Sequence, residues 1–152
     1  QAKKLSKLHH RIANVRKDFL HKESTRIAKA SSIVYMEDLK IKNMSKSAKG
    51  NEEEPGKNVS AKSGLNRSIL DCGWASFGTM LEYKTKVVRV NPKHTSQICS
   101  YCGHKDAKSR VSQSEFKCTG CGHASNADVN AAKNILSRGT ALYRQREALA
   151  CA

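Results

Sequence analysis

Four cysteines and a few carboxylates are the side chains of this sequence whose types and spacing suit chemistry. Cys99-Ser-Tyr-Cys102-Gly-His is answered by Cys118-Thr-Gly-Cys121-Gly-His, with fifteen residues between the inner cysteines. Two Cys-x-x-Cys pairs at this separation let two tight turns present four thiolates to one tetrahedral ion, as in a tetrathiolate zinc ribbon. Glycine follows each pair, at Gly103 and Gly122, and suits a knuckle whose backbone takes a positive φ while its N–H groups face sulfur. Two disulfides would require an oxidising compartment, and the first residues do not read as a secretory signal, so disulfides are not expected. A redox pair would account for only half of the repeat. Iron in a four-sulfur site shares the spacing, although zinc is the commoner occupant. His104 and His123 are surplus to a four-ligand set and are expected to support the ligands from behind or to face phosphate. Cys72 and Cys151 lie outside the quartet and read as small core or tail residues.

The carboxylates are less self-explanatory. Glu37 and Asp38 close a short apolar run, Ser31 to Leu39, that suits a strand buried on both faces of a parallel sheet. A carboxylate at such a strand end must be solvated, paired or bound to a cation. In open α/β sheets the carboxyl ends of strands are where ligands sit, so either acid is a site candidate, and both could equally mark an exit into solvent. Asp128 falls in the first turn of a helix beginning at Ala127 and capped by Ser125 or Asn126. Favourable interaction with the positive end of the helix dipole is its simplest local role.

The surroundings favour an anionic partner. The 152 residues carry 28 Lys and Arg against 13 Asp and Glu, a net charge of +15 that points to nucleic acid. No stretch reads as membrane-spanning, the longest run of large apolar residues being Ile33 to Met36. Aromatic residues make up only 5%, so affinity is expected from phosphate contacts rather than base stacking.

Several elements must hold these residues in place. Leu5, Leu8, Ile12, Val15 and Phe19 fall at alternating intervals of three and four within Lys3 to Lys29, one face of a long helix whose other face is basic. The strand ending at Glu37 follows. Residues 42 to 63 are polar, contain Pro55, and are expected to form a mobile loop. A second helix, capped at Ser63 or Asn66, is expected to run unbroken to about Tyr83 with Trp74 as a core anchor. Gly73 and Gly78 inside it suggest close packing on another backbone. Lys86 to Val90 reads as a further strand, closed by Asn91-Pro92. The ribbon interrupts this pattern before the last helix, whose Ala131-Ala132 pair should let it approach the sheet closely. Helix, strand, helix and strand in this order predict an α/β fold of parallel strands with helical crossovers.

Five strings, in order, now carry a family resemblance. They are Val34-Tyr-Met-Glu37-Asp38-Leu39 with Met44 beyond it, Leu65-Asn-Arg-Ser-Ile-Leu-Asp71 leading to Trp74, Val90-Asn-Pro-Lys-His-Thr-Ser-Gln-Ile-Cys99, the double knuckle, and Asp128-x-Asn130-Ala131-Ala132-x-Asn134-Ile135. Together they resemble the carboxy-terminal half of the TnpB/OrfB proteins of insertion sequences, RNA-guided DNA endonucleases formerly called transposases and related to the type V CRISPR effectors. The resemblance implies a partial RNase H-like, RuvC-like nuclease portion at residues 1–92 and 124–152, with a zinc ribbon inserted at 93–123. It matches Glu37 to the family's second catalytic acid and Asp128 to its third, overriding the dipole reading. Asp38, next to Glu37 on the strand, should point to the opposite face.

The implied cofactors are a structural Zn2+ on Cys99, Cys102, Cys118 and Cys121, and catalytic Mg2+ or Mn2+ on Glu37 and Asp128. The implied partners are DNA, a guide RNA and the amino-terminal half of the nuclease domain, in a prokaryotic cytoplasm near the nucleoid. In the family the first catalytic aspartate lies on a strand upstream of the long helix, and this sequence does not include it. Its first residues read as the middle of a helix, so a piece of a longer chain is expected, with the edge of strand 32–39 exposed. A piece with two of at least three acids should bind Mg2+ weakly and not cut. The rival readings are a zinc-ribbon module that only binds nucleic acid, and a part that completes a nuclease by docking.

Overall fold

A computed structural model describes residues 2–150; Cys151 lies outside the described residues. The chain is of mixed α/β type and divides into two compact units. Residues up to 34 with 40–86 form one, and residues 35–39 with those from 87 onward form the other.

The first unit is built on α1 (Ala2–Ala30), uninterrupted as its lack of Gly and Pro predicts. Its second half packs on α4 (Trp74–Glu82). Lys84 fastens this packing: its ammonium donates to His21 O, Ser24 Oγ and Thr25 Oγ1 at 3.0, 2.7 and 2.9 Å, using all three donors. The stripe from Leu5 to Phe19 remains exposed.

The expected single second helix is two. After α2 (Ile41–Met44) come α3 (Val59–Asp71) and then α4, and the break between these two falls at Gly73, whose φ is +68°. That positive φ is what selects glycine; a Cβ there would also lie 2.8 Å from Leu20 Cδ1, the flexible end of a side chain of α1. Trp74 begins α4 with 42% of its surface exposed and lines a groove with Cys72 and Phe77; neither it nor Cys72 is a core residue. The stretch expected as a mobile loop is tied down at several points. Lys62 Nζ donates to Met44 O, Asn66 Nδ2 donates to Lys46 O, and residues 49–56 fold back on themselves through Gly56 N–H to Lys49 O.

β1 (Ile33–Glu37) pairs with β2 (Lys86–Val90). Lys86 N–H donates to Ser32 O near their starts and Asp38 N–H to Val90 O near their ends, so the strands run parallel. In β2 the alternation buries Val88 and Val90.

The second unit continues from β2 into a short antiparallel ladder, β3 (Glu115–Lys117) with β4 (Ala124–Asn126), in register Phe116↔Ser125. Phe116 is fully buried against Cys99, Cys118 and Ala127. α5 (Ala127–Ala150) follows β4 directly, and Asn126 Oδ1 caps it by accepting from the N–H groups of Asp128 and Val129. It packs closely at Ala127, which is fully buried, and at Gly139, where a Cβ would run into the Tyr35 side chain. The Ala131-Ala132 pair lines a cavity instead.

Candidate functional site

The cysteine cluster assembles from two near-identical local folds. In the first knuckle Gly103 N–H donates to Cys99 O and Cys99 N–H to His104 O; in the second Gly122 N–H donates to Cys118 O and Cys118 N–H to His123 O. Gly103 and Gly122 take φ of +76° and +75°. Space around both is open, so the positive φ alone demands glycine. The four Sγ atoms lie within 4.8 Å of one another, with Cys99 to Cys121 at 3.8 Å and Cys102 to Cys118 at 3.7 Å. A tetrahedron of metal–sulfur bonds of about 2.3 Å has edges of about 3.8 Å, which these two separations match, so the donor set suits a soft four-coordinate cation.

Electrostatics in the cluster reflect this crowding. The Cys121 N–H, and then that of Gly120, hold the Cys118 thiol down to about 6 against the opposing effect of burial. The His123 N–H pulls Cys121 down, yet the sulfurs of Cys102, Cys118 and Cys99 and burial together outweigh it and push that thiol up to about 12. Four thiolates cannot share this volume without a cation. The histidines pack across the pseudo-twofold: His123 stacks on Tyr101 at 5.5 Å, and His104 lies against Gly120, where a Cβ would come within 2.9 Å. Asp106 ties the two halves further. Its carboxylate accepts from Lys108 N–H and from the Thr119 hydroxyl, and the first of these chiefly holds its pKa low.

Glu37, at the end of β1, and Asp128, in the first turn of α5, line one open cavity of about 470 Å³ with Pro92, Thr95, Ser96 and Arg110. Asp38 is not among its lining residues. The Asp128 side chain is 85% exposed, and the Arg110 guanidinium stands 4.0 Å from it. Glu37 is half-buried and accepts a hydrogen bond of 2.5 Å from Thr95 Oγ1. Two hard carboxylates facing solvent across a polar cavity are a donor set that suits Mg2+ or Mn2+, which retain water ligands.

Sequence reasoning missed Thr95 and Arg110 as lining residues and the row that supports them. Asn130 and Asn134, one turn apart on α5, are buried. Asn130 accepts from Ser100 N–H and donates to Ile98 O; Asn134 donates to Thr95 O and Ile98 O. Two asparagines at helical i,i+4 spacing, where asparagine is a poor helix former, were the available signal.

Comparison with known proteins places both acids in recognisable segments. Residues 1–48, which include Glu37, match a family model described as "Probable transposase" for OrfB of IS605. Residues 74–135, which include all four clustered cysteines and Asp128, match "Cas12f1-like, TNB domain". The chain is related to the TnpB/OrfB family. It is 51% identical over 147 residues to "Putative RNA-guided DNA endonuclease InsQ" of Escherichia coli K12, covering 93% of this chain and 37% of that protein. It is also 31% identical to a TnpB-like protein of Methanocaldococcus jannaschii over 93% of this chain and 61% of the relative. The chain therefore spans less than two thirds of the length of these relatives. The cryo-EM structure of a Cas12f1-sgRNA-target DNA complex shares the fold, with a TM-score of 0.51 and 24% identity over 88% of this chain and 36% of that one.

Proposed function

We propose that the chain is the carboxy-terminal part of a transposon-encoded, metal-dependent DNA endonuclease guided by RNA. The observation that carries this is the convergence of Glu37 and Asp128, from separate elements and separately matched segments, on one cavity that also holds Arg110. Residues 1–92 and 124–152 are read as a RuvC-like portion of an RNase H-like fold, and 93–123 as an inserted ribbon closed by zinc on Cys99, Cys102, Cys118 and Cys121. Glu37 and Asp128 would hold Mg2+ or Mn2+, which when paired in such sites activates water and stabilises the leaving oxygen of a phosphodiester. Glu37 is held by Thr95, Asp128 rides on a capped helix start, and Arg110 offers a phosphate a planar cationic partner. The basic surface binds nucleic acid. A further acid and the guide-binding regions are assigned to the rest of the parent protein, so the chain alone is not expected to cut.

In the parent-length protein, Glu37→Gln and Asp128→Asn should each abolish Mg2+-dependent cleavage of target DNA while leaving guide and target binding intact by gel shift. Cleavage undiminished in Glu37→Gln would sink the assignment. The rival reading, a module that only binds nucleic acid, draws on the +15 charge and the two-acid cavity. It would gain if both variants cut like the parent while salt-sensitive binding persisted.

A further inference from the structure

α5 carries a row of side chains at i, i+4 and i+8 whose targets are all backbone. Asn130 holds Ile98 and Ser100, Asn134 holds Thr95 and Ile98, and Arg138 Nη1 donates to Asn91 O and Lys93 O at 3.1 and 2.8 Å. The segment from β2 to the first knuckle is thus laid along the same helix that presents Asp128. Within that segment Thr95 is 3% exposed. Its carbonyl accepts from Asn134 Nδ2 at 2.9 Å, and its hydroxyl lies 2.5 Å from Glu37 Oε1 and 3.0 Å from Pro92 O. The hydroxyl has one proton, and the shorter bond to the charged acceptor takes it.

We propose that Asn134 and Thr95 form a relay that positions Glu37, so that α5 sets the location of both carboxylates of the cavity. Oε1 is committed to Thr95, which leaves Oε2 as the oxygen for a cation in the cavity that Asp128 also lines. Thr95 and Asn134 are positioning residues acting through Glu37. The inference deepens the proposed metal site and rests on that reading.

The test uses the full chain with four comparisons: wild type, Thr95→Val, Thr95→Ser and Glu37→Gln. Manganese alone is the probe, followed by electron paramagnetic resonance, and the Glu37 γ-methylene is followed by NMR without metal. In Thr95→Val the two γ-proton signals, distinct in the wild type, should merge as the side chain reorients freely. Mn2+ affinity should fall about tenfold, the usual scale for a partner that orients a ligand. Thr95→Ser restores the hydroxyl and should restore both readouts, which a merely structural role for the residue would not require. Should Thr95→Val fail to fold by circular dichroism, Thr95→Ala makes the same comparison. Unchanged γ-proton signals and Mn2+ affinity in a folded Thr95→Val, alongside weakened binding in Glu37→Gln, overturn the relay and leave the metal site standing. Undiminished Mn2+ binding in Glu37→Gln overturns the metal site and the relay's purpose with it.

Discussion

The cysteine cluster and the acid cavity are two sites built by opposite means. In the cluster, each pair of ligands is oriented by its own turn, through bonds spanning only four or five residues such as Gly103 N–H to Cys99 O and Cys99 N–H to His104 O. The four sulfurs form a complete and closed set. In the cavity, the two carboxylates are ninety-one positions apart in sequence, face solvent, and take their places from β1, α5 and the segment between β2 and the first knuckle. Local assembly gives a site whose loss should unfold what surrounds it. Assembly from distant elements gives one that can be disarmed without unfolding.

Removal of the clustered cation is the largest test of that contrast. Structural zinc contributes about 10–16 kcal/mol in zinc-finger peptides, so chelation should strip amide protection from β3 and β4. Because Ala127 N–H donates to Ser114 O and Asn130 holds Ser100, protection at residues 126–136 should fall as well. Hydrogen exchange by mass spectrometry reads both, and unchanged protection of α5 would show that the two sites are independent.

Asn130→Ala sharpens the same point at smaller scale. It deprives the Ser100 N–H of its partner and should cost about 1–3 kcal/mol in denaturant unfolding, with the cysteines themselves untouched. Acidity probes the cluster alone. Protons compete with the metal for sulfur, and Cys121, near 12, keeps its proton at neutral pH, so zinc binding must release it. Affinity should decline as pH falls, and more steeply below about 6, where Cys118 also becomes protonated. Calorimetry in buffers of different ionisation enthalpy measures the proton count. At the small end, Asp128→Asn should shift stability by no more than about 0.5 kcal/mol, since its side chain is 85% exposed, while weakening Mn2+ binding. A large destabilisation would mean that Asp128 serves the helix rather than the cavity.

Much of the frame was legible in the sequence because its signals are periodic. The unbroken α1 follows from a run without Gly or Pro, and β2 from Lys86 to Val90 was read with the boundaries observed. The break between α3 and α4 was not legible, because Gly73 fits a helical pattern and only the folded backbone shows its turn to a φ of +68°. Trp74 failed as an anchor for a related reason: apolar spacing names a face, and only the neighbouring helix decides how much of that face is covered. Thr95 carried no spacing signal at all. Its importance arises from two hydrogen bonds, to Glu37 and from Asn134, separated by 58 and 39 positions in sequence.

The sequence by itself determined the convergence of the four sulfurs, since Cys-x-x-Cys-Gly-His twice over specifies both the turns and the donors through bonds within each turn. It also determined the charge that calls for an anionic partner. The tertiary structure decided that Glu37 lines the cavity with Asp128 while Asp38 does not, and that Arg110, Thr95 and Asn134 belong with them. Adjacent residues on a strand point to opposite faces, and which face meets the start of α5 is fixed only when β1, β2 and that helix pack.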